Sequence, residues 1–244
     1  MKRIAKIILL LLVLGLVTQA GFTAIAAVNN ILSPSAEKMY SDLIQDLKVT
    51  TTYKNEMDRL IAADYALPDI LVAYEYLYHN FGRISELEDL VRSKGNGKSW
   101  DRVLADYQNA REPFVPREFD SRTLERLMNI PALTPDDIMI ADQYAHVTGR
   151  DFDTVLDARL NASNWASIAS NFGVLYTANT LPRVQITESD MQKYKAQGLS
   201  DEKIILAFVL AGRLDLTPKS IIDMVKAGKT ESAIVAEMLQ AKYN

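Results

Sequence analysis

One helical phrase returns three times along this 244-residue chain, and a recurrence of that kind restricts the fold to a modular architecture before anything else is weighed. Met57-Asp58-Arg59-Leu60-Ile61 recurs as Leu124-Glu125-Arg126-Leu127-Met128 and, more loosely, as Met191-Gln192-Lys193-Tyr194-Lys195. Each copy leads to an Ile with Ala three residues later: Ile70/Ala73, Ile138/Ala141 and Ile204/Ala207. Successive copies are offset by 65 to 68 residues.

Helix punctuation divides each copy further. Thr134-Pro135-Asp136-Asp137 combines a cap, a proline at the first helical position and two acids at the positive end of the helix dipole. Ser85-Glu86-Leu87-Glu88 and Thr187-Glu188-Ser189-Asp190 have capping-box spacing, and Ser99, Ser200, Thr217 and Thr230 stand before other helical stretches. Gly82, Gly95, Gly97, Gly149, Gly173, Gly198 and Gly228 alternate with them as stop signals. Strand signal is poor, with Leu175-Tyr176-Thr177 and Arg183-Val184-Gln185-Ile186 the best candidates, both in a connector.

The expectation is an all-α chain with three units of about four short helices, at 52–110, 119–176 and 186–244. A capping amphipathic helix precedes them in 28–50, where Ser33-Pro34 opens a face of Met39, Tyr40, Leu43, Ile44 and Leu47. The linkers are 111–116 and 176–184, and the units stack as an irregular solenoid or a compact helical cluster.

Residues 1–27 follow the pattern of a secretory signal. Lys2, Arg3 and Lys6 precede an apolar run from Ile7 to Val17, and Ala24-Ile25-Ala26 offers small residues for cleavage. The competing reading is an uncleaved anchor, because Ile7 to Val28 approaches the roughly 20 apolar residues a spanning helix needs. Both readings place the remainder outside the cytoplasm, touching membrane only through this segment.

The chain has no cysteine, so disulfides, thiolate metal sites and thiol-linked lipid are excluded and stability rests on packing. Beyond residue 27 there are 24 basic and 31 acidic residues, a net charge of −7 that opposes attraction to polyanions. The segment from Trp165 to Gly173 has a faint helix-turn-helix look. Between Arg83 and Arg126, however, nine basic residues are matched by nine acids, leaving no stripe for phosphates. Nucleic acid is not an expected partner.

Two tryptophans, Trp100 and Trp165, occupy equivalent positions in units one and two, whereas unit three has Glu231. As ligand platforms they would stack a sugar ring or peptide; as staples they would fix the last helix of each unit to its core, which is the favoured reading. The only histidines, His79 and His146, also fall at matching places and read as scaffold, since neither belongs to a zinc-type His-x-x-x-His pair. Asp151, Asp153 and Asp157 miss the calcium-loop pattern, because Val155 and Leu156 occupy its fifth and sixth places. No Gly-x-Ser-x-Gly elbow exists. No catalytic residue, cofactor or metal is expected.

The phrase Asp69-Ile70-x-x-Ala73 followed by Gly97-x-Ser99-Trp100-x-x-Val103 has a second version in Asp137-Ile138-x-x-Ala141 with Asn164-Trp165-x-x-Ile168. It resembles uncharacterised bacterial exported proteins with tandem short-helix repeats, over residues 53 to 244. Unit three departs from it with Lys203 for the Asp and Glu231 for the Trp. The resemblance implies architecture and export, and transfers no site. The expected function is a non-enzymatic interaction or scaffold protein of the cell envelope, holding an envelope protein or wall polymer. The alternative is an envelope-polymer hydrolase working through a carboxylate pair.

Overall fold

Local signals account for most helix starts in the computed structural model of the protein, which describes residues 33–244. The expected signal segment 1–27, and the beginning of 28–50, lie outside the described residues. Helix α1, Pro34–Asp46, begins where Ser33 accepts the Ala36 amide, with proline at the first turn. It buries Tyr40 and Leu43 and rests on α3.

Twelve more helices follow among the described residues. They are α2 Thr51–Ala62, α3 Leu67–His79, α4 Leu87–Gly95 and α5 Trp100–Asn109, with a short 3-10 turn at Ile84–Glu86 before α4. Next come α6 Ser121–Met128, α7 Pro135–Thr148, α8 Phe152–Leu160 and α9 Trp165–Phe172. The last are α10 Glu188–Lys195, α11 Asp201–Arg213, α12 Pro218–Lys226 and α13 Glu231–Tyr243. Non-helical stretches at 110–120 and 173–187 separate these twelve into runs of four. The described chain is therefore all-α, and no described helix is long and apolar enough to cross a membrane.

Helix α3 is the pivot. Its sequence is apolar nearly all round, and Leu67 and every residue from Ile70 to Tyr78 are buried. A helix with no polar face must be surrounded, and α1, α2, α4 and α13 all pack on it. The Ile/Ala pairs of the recurring phrase point inward in all three runs, with Ile70, Ala73, Ile138, Ala141, Ile204 and Ala207 buried.

The first and second runs are tied by a single antiparallel bridge between Arg83 and Val174. Ile84 N–H donates to the Gly173 carbonyl at 2.8 Å and Leu175 N–H to that of Gly82 at 2.9 Å. The Tyr53 hydroxyl adds a bond to the Val174 carbonyl at 2.8 Å. The strand signal at Leu175-Tyr176-Thr177 thus becomes a buried extended segment rather than a sheet.

The third run closes back on the first. Helix α13 packs against both α3 and α5. At its end the Lys242 ammonium donates to both oxygens of the buried Glu75 carboxylate, at 2.9 and 2.8 Å, and the Tyr243 hydroxyl joins them.

Some expected punctuation moves. The box anticipated at Ser85 forms earlier, where the Arg83 amide donates to Glu86 Oε2 at 2.7 Å. Gly95 is the last residue of α4 rather than a stop beyond it, and Gly82 is not left-handed. Left-handed backbone after α1, α2, α3 and α11 is instead adopted by Lys48, Asp64, Phe81 and Asp215.

Candidate functional site

Trp100 and Trp165 are each the first residue of a helix, α5 and α9, and both are buried, at 1% and 0% exposure. Trp100 Nε1–H donates to Asp69 Oδ1 at 2.9 Å, and Trp165 Nε1–H donates to Asp137 Oδ1 at 2.9 Å. Both acceptors are the third residue of a helix, α3 and α7, so one geometry is built twice. Neither ring offers the open face that a stacking platform requires. Each indole fills the space between two helices and satisfies its single donor on the way.

Asp137 gathers more than the tryptophan. Arg159 Nε–H donates to its Oδ1 at 2.7 Å, while Thr134 supplies backbone and hydroxyl donors to Oδ2. Burial pushes its pKa up, but the donors from Thr134, Arg159 and Trp165 outweigh it and hold the carboxyl below the usual value. In the third run the matching positions are Lys203 and Glu231, and no ion pair joins these two among the described residues.

A different group of residues forms an open concavity. A cleft of about 360 Å³ is walled by Tyr76, His79 and Phe81 from α3 and its exit, Tyr107 and Gln108 from α5, and Arg111 to Phe114 from the linker. Gln143, His146 and Val147 of α7 and Arg213, the last residue of α11, complete it. All three runs therefore contribute. Both histidines, which the sequence suggested were scaffold, face this one space.

The two imidazoles differ in setting. His79 is pushed down to about 4 by burial, with the Arg213 charge adding to it and Glu75 opposing it, so the ring is neutral at pH 7. His79 Nε2 lies 3.9 Å from Glu75 Oε1, and the His79 carbonyl accepts from Arg213 Nη2 at 3.0 Å. His146 Nε2 lies 3.2 Å from the Glu112 carbonyl oxygen. That oxygen can only accept, so Nε2 carries the proton there. Phe114 meets the His146 ring edge-on at 5.5 Å.

The cleft lining has donors from Arg111, Arg213, Gln108 and Gln143, aromatic faces, and one carboxylate residue, Glu112. It holds no pair of acids and no serine or threonine to act as a nucleophile.

A wider depression lies beside α6 and α8 and carries Glu118, Asp120, Asp151 and Asp153 together with Arg117 and Arg126. Asp120 there caps α6 through Thr123, whose backbone and hydroxyl bonds keep its pKa below the usual carboxylate value. A proton donor needs the opposite shift. Among the described residues no three His, Asp or Glu side chains gather as metal ligands do.

Two signals for the cleft were present in the sequence: matched histidines one unit apart, and the arginine that opens the first linker. What hid it is that its walls are separated by up to 137 residues of chain, from Tyr76 to Arg213. Comparison with protein-family models, with curated proteins and with solved structures finds no match.

Proposed function

We propose that this is a non-enzymatic binding protein of the cell envelope, built as a capping helix and three four-helix units, with the cleft between units as its ligand seat. The units are 52–110, 119–176 and 186–244, and their likeness rests on the recurring phrase, the matched helix order and the twice-built tryptophan–aspartate pair. The observation that carries the reading is the convergence of α3, α5, the first linker, α7 and α11 on one small cleft. Concave sites with a few polar groups among aromatic walls, set between packed units, are where ligands are held. Export rests on the basic start and apolar run of residues 1–27.

The test places a photocrosslinking residue at Gln143, inside the cleft, and at the exposed Glu125 as control, in the native host. The expected result is an adduct specific to Gln143, on a processed protein in the envelope or extracellular fraction. Equal labelling at both positions, or a cytoplasmic protein, defeats the reading.

A further inference from the structure

We infer that the ligand seated in this cleft is a small organic anion, a carboxylate or phosphate carried on an apolar body, with Arg213 as its chief counter-charge. The inference rests on the cleft being a ligand seat and adds the class of ligand.

Arg213 is the central observation. It ends α11 half-buried in the cleft wall, and loss of water around its guanidinium pulls its pKa below the ordinary arginine value. Of its five N–H donors, one is engaged among the described residues, on the His79 carbonyl. No described carboxylate lies within 4 Å of it, although arginines elsewhere in the chain, such as Arg59 and Arg159, have such partners. Glu231, at the first position of α13, acts on it through space and forms no ion pair with it. A partly desolvated charge with an unused planar fork is costly alone and favours a bidentate oxyanion.

The surroundings agree. Arg111 stands in the same wall, its guanidinium over the Tyr107 ring at 4.9 Å and 3.8 Å from Glu86. The Tyr76 hydroxyl is buried and has no hydrogen-bond partner among the described residues, with Gln108, Arg213, Arg111 and Glu231 around it. A buried unsatisfied hydroxyl in a native wall calls for an explanation, and an oxyanion seated in the cleft beside it supplies the missing acceptor. His79, neutral at pH 7, adds no charge, and Glu75 behind it is occupied by Lys242 and Tyr243. The lining is therefore cationic, with Arg111 and Arg213 against Glu112, in a chain whose overall charge is −4.

Phe81, Pro113, Phe114 and Val147 offer the apolar body its contacts. A volume of about 360 Å³ stands at the low end for ligand pockets, which selects a small molecule or the end of a larger one.

Ligand-detected NMR titration of the full chain with four matched probes tests this: phenylacetate, phenyl phosphate, phenylacetamide and phenethylamine. At least one of the two anions should bind saturably, about tenfold or more tighter than the amide and the amine. Whichever anion binds tighter separates a carboxylate source from a phosphate monoester. Arg213→Met should weaken anion binding about tenfold and leave the amide unchanged. Arg111→Gln provides the second variant if the first melts early.

Amide and amine binding as tightly as the acids would overturn the anion inference while keeping the cleft as a seat. Wild-type anion affinity in folded Arg213→Met or Arg111→Gln protein also overturns it, as does absence of binding by all four probes. In that last case the Gln143 crosslink decides separately whether the cleft is a seat at all.

Discussion

Trp165 and Arg159 meet on one atom: the indole donates to Asp137 Oδ1 at 2.9 Å and the guanidinium to the same oxygen at 2.7 Å. Asp69, the counterpart in the first run, receives Trp100 without an arginine. Removing the two carboxylates should therefore have unequal consequences. Asp137→Ala leaves a mostly buried arginine without its carboxylate and an indole unpaired, and should cost about 3–5 kcal/mol. Asp69→Ala strands one neutral donor and should cost about 1–3 kcal/mol. Urea denaturation of the two variants side by side measures the difference, and equal losses would sink this account.

The tryptophans themselves should behave as buried wedges. Trp→Ala at either position should destabilise by about 3–5 kcal/mol. Emission should be blue-shifted and iodide should quench it poorly. Efficient quenching of both rings, with wild-type melting of the double alanine variant, would return the platform reading to the front.

The buried Ile138 tests the packing of the recurring phrase. Ile138→Ala should cost about 2–4 kcal/mol if the surrounding core cannot collapse onto the gap. A melting temperature within a degree or so of wild type would show that this site is not tightly packed.

Acid should loosen the protein through His79. Its folded pKa, about 4, lies below the 6.5 of the free side chain. Between those values the unfolded chain holds a proton that the folded chain does not, so stability rises with pH across that window. The stabilisation is complete above about pH 6.5 and lost toward pH 4, on the order of 3 kcal/mol. His79→Gln should flatten the slope of unfolding free energy between pH 7 and pH 4.5. An unchanged slope in that variant would place the acid sensitivity elsewhere.

Gly82 follows α3 where a side chain has no room. A Cβ there would come within 2.8 Å of Leu77 Cβ and 3.0 Å of its Cα, and backbone cannot step aside as a flexible tip can. Gly82→Ala should cost about 1–3 kcal/mol by overpacking. Gly95→Ala, which meets nothing, should be close to neutral.

What could be read from the sequence was what short-range chemistry decides. Thr134, Thr187, Thr217 and Thr230 all cap the helices they precede. The left-handed stops at Lys48, Asp64, Phe81 and Asp215 could not be read, because none of these residues is the glycine that such backbone favours. Of the four only Phe81 is buried, and it stacks on Tyr176 at 4.2 Å.

The tryptophan partner was half legible. The third copy lacks both the Asp and the Trp, at Lys203 and Glu231, and a joint loss of that kind is the trace of a contact. The cleft was legible only in its matched histidines and linker arginine, since nothing local ties Arg213 to Tyr107.

The docking of α13 on α3 and α5 has a consequence in time. A chain is made, and threaded through any pore, from its amino end, so the helix that roofs the first run emerges well after the helices it covers. Until then the surfaces of α3 and α5 that α13 covers stay bare, and Glu75 waits without its ammonium. Contacts between residues 167 positions apart are slow to find because a long loop must close first. The emerging chain thus spends its birth with an apolar flank open, the condition in which a nascent protein most depends on holding factors and is most exposed to sticking to its neighbours.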